Sequence, residues 1–277
     1  MKPIKKPLGH FLALITKAAA ATTFLVMAFL ILYILINGLP HLTPSLFEFK
    51  YTTKNVSMFP ALVSTIIMTA LSLIIAVPLG AFAGIYLVEY AKKGNRTVKV
   101  VRVTAEALSG IPSIVYGLFG MMFFVTYLKW GNSILAGAFT LSIMVLPLIM
   151  RTTEEALKSV PDSYREGSFG LGAGRLHTIF KVVLPSAVPG ILAGVILSIG
   201  RIIGETAALI YTAGTVTEMP QNVFSSARTL SVHMWALTGE SLHKNESYAA
   251  GVVLLILVVG INSFSAFIAK KFIKEGK

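Results

Sequence analysis

Long apolar runs separated by short, basic, polar stretches make up most of this sequence. A helix rises about 1.5 Å per residue, so about 20 apolar residues cover the hydrocarbon core of a bilayer. Six runs approach that length: residues 18–36, 61–88, 107–128, 134–150, about 188–214, and 249–269. The second contains no charge, whereas the fifth contains two, Arg201 and Glu205. The pattern predicts an all-α membrane protein. Six transmembrane helices form a single domain over residues 18–269, between a segment at 1–17 and a tail at 270–277.

Composition supports this and removes other classes. The 277 residues are 55% hydrophobic and 13% charged, with mean hydropathy +0.77. A soluble globule of this size cannot hide so much apolar surface, which excludes a soluble enzyme. Disorder requires low hydrophobicity and is excluded as well. Without cysteine, disulfides, thiolate metal sites and cysteine nucleophiles drop out. Lys2, Lys5 and Lys6 precede the first apolar run in the manner of a signal peptide. That run is longer than the roughly 7–15 residues of a cleavable core, and Asn37-Gly38-Leu39-Pro40 is a poor cleavage site, so it reads as an uncleaved anchor.

The net charge of +12 would suggest nucleic acid in a soluble protein. Here the placement of the charges gives them another meaning. Eighteen of the 24 lysines and arginines lie before the first run, in the second-to-third and fourth-to-fifth connections, or after the last run. Five fall on the opposite side: Lys50, Lys54, Lys129, Arg228 and Lys244. Basic loops stay cytoplasmic, so both termini are expected in the cytoplasm of a multi-pass membrane protein. Pro78, Pro112, Pro147, Gly117, Gly120, Gly194 and Gly200 lie within the runs. They suit ordinary close helix packing or bent helices around a pathway, and composition leaves both readings open.

Residues 151–185 form a long connection with structure of its own. Pro161 can open a helix, Ser163-Tyr164-Arg165-Glu166 continues it, and Gly170, Gly172 and Gly174 break it before residues 176–184 resume a helical register. Glu166-Gly167-Ser168, then Gly172, then Val182-Val183-Leu184-Pro185 and Pro189-Gly190 resemble the EAA loop of binding-protein-dependent ABC importer permeases. The family pattern is E-A-A, three residues, G, nine residues, I-x-L-P. Gly167, Ser168 and Val182 depart from it by small-for-small or apolar-for-apolar exchanges. The resemblance implies a MetI-like permease bundle in which this segment is the coupling helix that docks on an ATPase subunit. Residues 164–174 would then be the docking surface, including Tyr164, Arg165, Glu166, Gly167, Ser168, Gly172, Ala173 and Gly174. The chain supplies no nucleotide site itself. Gly170-Leu171-Gly172-Ala173-Gly174-Arg175 lacks the lysine and hydroxyl residue of a phosphate-binding loop, so the power source is expected on another chain.

The two charges in the fifth run require a reason, because a charge at the bilayer centre costs about 2.5–3.5 kcal/mol on insertion scales. Arg201 and Glu205 are four residues apart and can pair on one helix face. Such a pair either fixes helix packing or, through the donor fork of the guanidinium, meets a tetrahedral oxyanion. Arg201-x-x-Gly204-Glu205-Thr206-Ala207 resembles the fifth-helix signature of the phosphate permeases PstA and PstC within the same family. Residues 108–118, Leu-Ser-Gly-Ile-Pro-Ser-Ile-Val-Tyr-Gly-Leu, resemble their third helix. Glu205-Thr206-Ala207-Ala208-Leu209 and the modest length favour the PstA type, although Ala208 stands where a proline often follows.

This resemblance implies inorganic phosphate as substrate and a pathway through Arg201, Glu205 and Thr206. It also implies a PstC-like permease subunit, two PstB-like ATP-binding subunits and an extracytoplasmic PstS-like phosphate-binding protein as partners, in the cytoplasmic membrane of a prokaryote. A permease for another oxyanion such as sulfate is the near alternative. A secondary anion transporter is the alternative from another class, and it would not require the coupling-loop spacing. No cofactor, metal or catalytic group is expected: the five histidines are scattered with no zinc spacing. Asn55-Val56-Ser57 and Asn245-Glu246-Ser247 are glycosylation sequons only in a host that glycosylates. The stretch 215–248, with His233, Trp235, Glu240 and Glu246, is expected outside, either docking a soluble receptor or capping the bundle.

Overall fold

The structure is a computed structural model that describes the backbone of residues 6–92, 94–239 and 243–275. Lys2, Lys5, Lys93, Glu240 and Lys277 lie outside the described residues. Every regular element among the described residues is helical. Helix α1 (Lys6–Gly38) is followed by two short 3-10 turns, Leu39–His41 and Pro44–Phe47. Helix α2 (Phe59–Ile85) continues into a π-helical turn, Tyr86–Tyr90. Helix α3 (Arg96–Ser109) meets α4 (Ser113–Gly120) and its π-helical continuation Met121–Tyr127 at a bend of 102°. Next come α5 (Ile134–Lys158), the short α6 (Asp162–Gly170) and α7 (Arg175–Thr178). A third π-helical stretch, Ile179–Val183, joins α7 to α8 (Leu184–Ile203), followed by α9 (Ala207–Thr212), α10 (Leu230–Gly239) and α11 (Lys244–Glu275).

Five helical rods are long and apolar enough to cross a membrane, and the bent α3–α4 pair supplies a sixth. The expected all-α six-span bundle is therefore present, but its boundaries move. The first and last helices extend well past residues 18–36 and 249–269. The third run is not one straight helix. Pro112 lacks an N–H and disfavours helical backbone at Ile111, so α3 stops at Ser109 and α4 begins afresh behind Pro112, whose ψ is 141°. The fifth span begins earlier than residue 188, at Arg175, and ends at Ile203, so residues 204–214 are not part of it.

Helix α5 occupies the centre, with Met68 of α2 and Leu141, Met144 and Ile149 of α5 fully buried. Apolar side chains gain little by exchanging lipid for protein, so close approach and interhelical hydrogen bonds must hold these helices together. Ser72 Oγ donates to the Ala138 carbonyl at 3.2 Å, and Ser142 Oγ donates to the Ser72 carbonyl at 3.1 Å. Further along, Gly80 and Gly84 let the two backbones nearly touch. A Cβ on Gly84 would lie 2.8 Å from Thr153 and 2.9 Å from the Met150 carbonyl oxygen. Helix α1 packs against α11 and turns Phe24, Leu25, Phe29 and Leu32 outward, as a lipid-facing helix should.

The two ends of the bundle differ. At one end, Arg102 of α3 pairs with Glu154 of α5 at 2.8 Å, which brings the basic 92–102 connection beside the 151–185 connection. At the other end, residues 39–58 and 213–239 form a folded cap. Its ties include Ile134 N to the Ser225 carbonyl at 3.0 Å and Leu230 N to Thr65 Oγ1 at 2.8 Å. Its core includes Leu46, Val56, Met58, Leu230 and Leu237. Within it, Arg228 sits 5.0 Å over the Tyr51 ring, close to the buried His233. Burial first, and the Arg228 charge second, push the His233 pKa down to about 3.

Two outcomes follow from this packing. Gly84→Val should lower the thermal midpoint of the detergent-solubilised protein, at a cost of about 1–3 kcal/mol for overpacking. Gly167→Ala, with nothing near its added Cβ, should leave the midpoint unchanged; equal midpoints for the two variants would overturn the close-approach argument. The second outcome concerns pH. The unfolded chain takes up a proton near pH 6.5 that folded His233 refuses down to about pH 3. This contribution is intact above pH 6.5 and is lost as pH falls below it, by at most about 1.4 kcal/mol per pH unit. Thermal unfolding at pH 7 and pH 5 should show a smaller drop for His233→Gln than for the parent.

Candidate functional site

Two regions carry the residues singled out from the sequence. In the first, α6 opens after Pro161, as expected, and closes through Gly172. Gly172 has φ +83°, a conformation that side chains other than glycine resist, and it lets Ala173 N reach the Ser168 carbonyl at 3.1 Å. Tyr164, Glu166, Gly167, Gly172 and Gly174 are exposed, while Ser168 and Ala173 are half-buried. Tyr164, Gly167, Ser168, Gly172, Ala173 and Gly174, together with Leu171, which is 92% exposed, border an open depression of about 700 Å³. An apolar tip of this kind, with a polar rim and a turn that cannot drift, is suited to insertion into a groove on another chain.

Arg165 departs from the expectation that the whole segment faces outward. Its guanidinium turns in, donating to Glu89 Oε1 from Nη2 at 2.7 Å and from Nε at 3.2 Å. It also donates to the Val160 and Leu157 carbonyls, each at 3.0 Å. Glu89 is buried and lies in the π-helical turn that ends the second span. Arg175 adds a bond to the Glu89 carbonyl and lies 5.0 Å over the Tyr90 ring. Arg165 thus ties the exposed loop to the second span, with its guanidinium turned toward Glu89. Sequence reasoning missed Glu89, though the signal was there: an acid directly after an uncharged apolar run, in a stretch otherwise basic.

The second region is the break after α8. Glu205 does not stay on the Arg201 face. Because α8 ends at Ile203, Glu205 turns away, and its Oε1 accepts the Ala208 N–H at 3.1 Å at the start of α9. Its carbonyl accepts a hydrogen bond from Ser231 Oγ of α10 at 2.6 Å. No ion pair joins Arg201 and Glu205 among the described residues, which corrects the expected pairing. Thr206 is half-buried, and its carbonyl receives Leu209 N and Ile210 N, both at 3.1 Å. Helix α9 is held against α4 by close contact: a Cβ on Gly117 would lie 2.7 Å from Ala208 Cα.

Arg201 itself is half-buried and borders a groove of about 600 Å³ with Gly200, Asn262 and the aliphatic Leu148, Ile196 and Leu197. Asn262 was not anticipated, although an amide within the last apolar run marks it. Its buried Oδ1 has no hydrogen-bond partner among the described residues. A guanidinium without a neutralising carboxylate, set in apolar walls, offers planar paired donors to an anion that has shed water.

A bundle of apolar spans with a structured loop tied into one end has the architecture of a membrane permease. Residues 76–274 match the model of the binding-protein-dependent transport system inner membrane component family, and the chain belongs to that family. A relative described as probable ABC transporter permease protein YqgI, from Bacillus subtilis, is 35% identical over 89% of this chain and 88% of its own. Phosphate transport system permease protein PstA of Pasteurella multocida is 32% identical over 85% of each chain, and that of Mycobacterium leprae is 35% identical over 76% of this chain and 69% of its own. Among solved structures, the inward-facing MetNI methionine ABC transporter aligns with TM-score 0.59 and 21% identity, covering 78% of this chain and 94% of that one. A bacterial alginate ABC transporter aligns with TM-score 0.63 and 15% identity over 92% and 95%. These two likenesses concern the fold. As members of this family do, the protein works as the membrane subunit of an importer, with ATP-binding subunits and a substrate-binding protein.

The Glu89–Arg165 tie makes a stability prediction. Glu89→Ala leaves the inward-facing guanidinium with only the exposed Asp162, at 3.3 Å, as a charged partner and should cost about 3 kcal/mol, read as a lowered thermal midpoint. Glu166→Ala, at an exposed neighbour, should cost less than about 0.5 kcal/mol. Similar losses from both variants would refute the inward role of Arg165.

Proposed function

We propose that the chain is one permease half of an ATP-driven importer of inorganic phosphate. In this reading it pairs with a PstC-like permease, two PstB-like ATP-binding subunits and an extracytoplasmic PstS-like phosphate-binding protein. The similarity to PstA proteins over most of the chain carries the choice of phosphate. The excess of basic residues at the coupling end supports cytoplasmic termini in a prokaryotic cytoplasmic membrane. The exposed surface around Tyr164, Glu166, Gly167, Leu171, Gly172 and Gly174 docks the ATPase, and Arg165 passes its displacement to the second span through Glu89.

Arg201 is the residue that meets the anion. Phosphate carries between one and two negative charges at neutral pH and must give up water to enter an apolar path, and the guanidinium replaces part of that hydration. Because Glu205 does not compete for Arg201, its part is to hold the break open: it fixes the start of α9 by its carboxylate and α10 by its carbonyl. Thr206 lies at the same break. Weak binding, needed for release in any conducting path, is met by the half-exposed setting of Arg201.

The test is uptake of labelled phosphate by proteoliposomes containing the assembled complex. Arg201→Gln should abolish uptake while the complex purifies intact, and Arg201→Lys should retain only a small part, since ammonium keeps the charge but loses the fork. Parental uptake by Arg201→Leu would remove Arg201 from the pathway. Sulfate uptake exceeding phosphate uptake in the parent would overturn the substrate.

A further inference from the structure

Alongside the 151–185 loop lies a second concave surface. It is a groove of about 700 Å³ between the end of the second span, α3 and the end of α5. Five cations line it, Lys92, Arg96, Lys99, Arg102 and Lys158, against one carboxylate, Glu106. Arg102 and Lys158 share Glu154, at 2.8 and 2.5 Å. Lys92, Arg96 and Lys99 are exposed and make no ion pair among the described residues. So much like charge in one concavity is repulsive unless an anion occupies it.

The groove is continuous with an apolar slot of about 210 Å³ under the first turns of α3. Leu87, Asn95 and Val98 line both, and Ala83, Tyr86, Thr97 and Val101 complete the slot. The bend of 102° lays α3 across the direction of α4 and its continuation. Its Val100, Val101 and Val103 are exposed, so α3 presents apolar and basic surface together, as an interfacial helix does.

We propose that this groove and slot bind an anionic membrane phospholipid, its phosphate headgroup among Lys92, Arg96 and Lys99 and an acyl chain against Val98 and Val101. A free inorganic anion satisfies only the basic half of the surface, whereas a lipid satisfies both halves. Basic pockets between spans at a membrane face take headgroups by this chemistry. The site lies at the same end as α6, since Glu154 and Lys158 belong to the helix that leads into it. The proposal does not depend on which solute the permease carries.

The full-length chain, purified in detergent, is titrated with phosphatidylglycerol or phosphatidylcholine of identical acyl chains and read by native mass spectrometry. Phosphatidylglycerol should bind in preference to phosphatidylcholine. The triple variant Lys92→Gln, Arg96→Gln, Lys99→Gln should weaken that binding by about tenfold or more. Lys50→Gln with Lys54→Gln, at the other end of the bundle, should leave it unchanged. Val101→Asp, which leaves the cations in place, should also weaken it. Inorganic phosphate in excess should not displace the lipid. Equal binding of the two lipids, parental binding by the triple variant or by Val101→Asp, or displacement by inorganic phosphate would each overturn the proposal.

Discussion

Everything in this bundle hangs on how closely α2 can approach α5. In lipid there is no water to satisfy a stray backbone group and little gain in burying one more leucine, so proximity must come from small side chains and shared hydrogen bonds. Ser72 donates to the Ala138 carbonyl and Ser142 to the Ser72 carbonyl, and Gly80 and Gly84 remove the side chains that would hold the helices apart. This seam sets where both helices end. Glu89, just past α2, and Glu154, near the end of α5, therefore arrive at one face, where Arg165, Lys158 and Arg102 can reach them. The 159–175 loop is anchored at this face through Arg165 and Arg175 on Glu89.

The two breaks in the bundle do a different job. At Gly110–Pro112 the bent span changes direction by 102°, and at Gly204–Thr206 the chain leaves α8 before α9 begins. The second break leaves Arg201 on the last turn of α8 without a carboxylate beside it. Glu205 is drawn off to cap α9 and to receive Ser231 from the outer cap. Glu205 thus ties the cap to the backbone just past the end of the fifth span, beside the packing of Ile202 with Val232.

Hydropathy made the six apolar runs legible, because length and lack of charge are all that a span requires. It did not show where helices bend, since Pro78 and Pro147 are absorbed within α2 and α5 while Pro112 breaks the chain. Proline alone does not distinguish these cases; what neighbouring helices offer the freed backbone does. The loop pattern correctly marked a helix and a glycine turn, and Gly172 adopts the positive φ that its place implied. The direction of Arg165 was not legible, because it depends on Glu89, 76 residues earlier in the chain. The i, i+4 spacing of Arg201 and Glu205 misled for a related reason: spacing predicts a shared face only while the helix continues, and here it ends between them.

Among the described residues there are three π-helical stretches, and two of them, Tyr86–Tyr90 and Ile179–Val183, flank the attachment of the 151–185 loop. A π turn holds one residue more than the α turn it replaces. Letting that residue pass into the neighbouring α-helix would advance everything beyond it by about 1.5 Å along the axis and turn it by about 100°. Glu89 sits inside one such turn. The anchor point of the coupling loop is therefore carried on a piece of backbone that can change its winding by a single residue without unravelling the helix, a discrete step rather than a hinge.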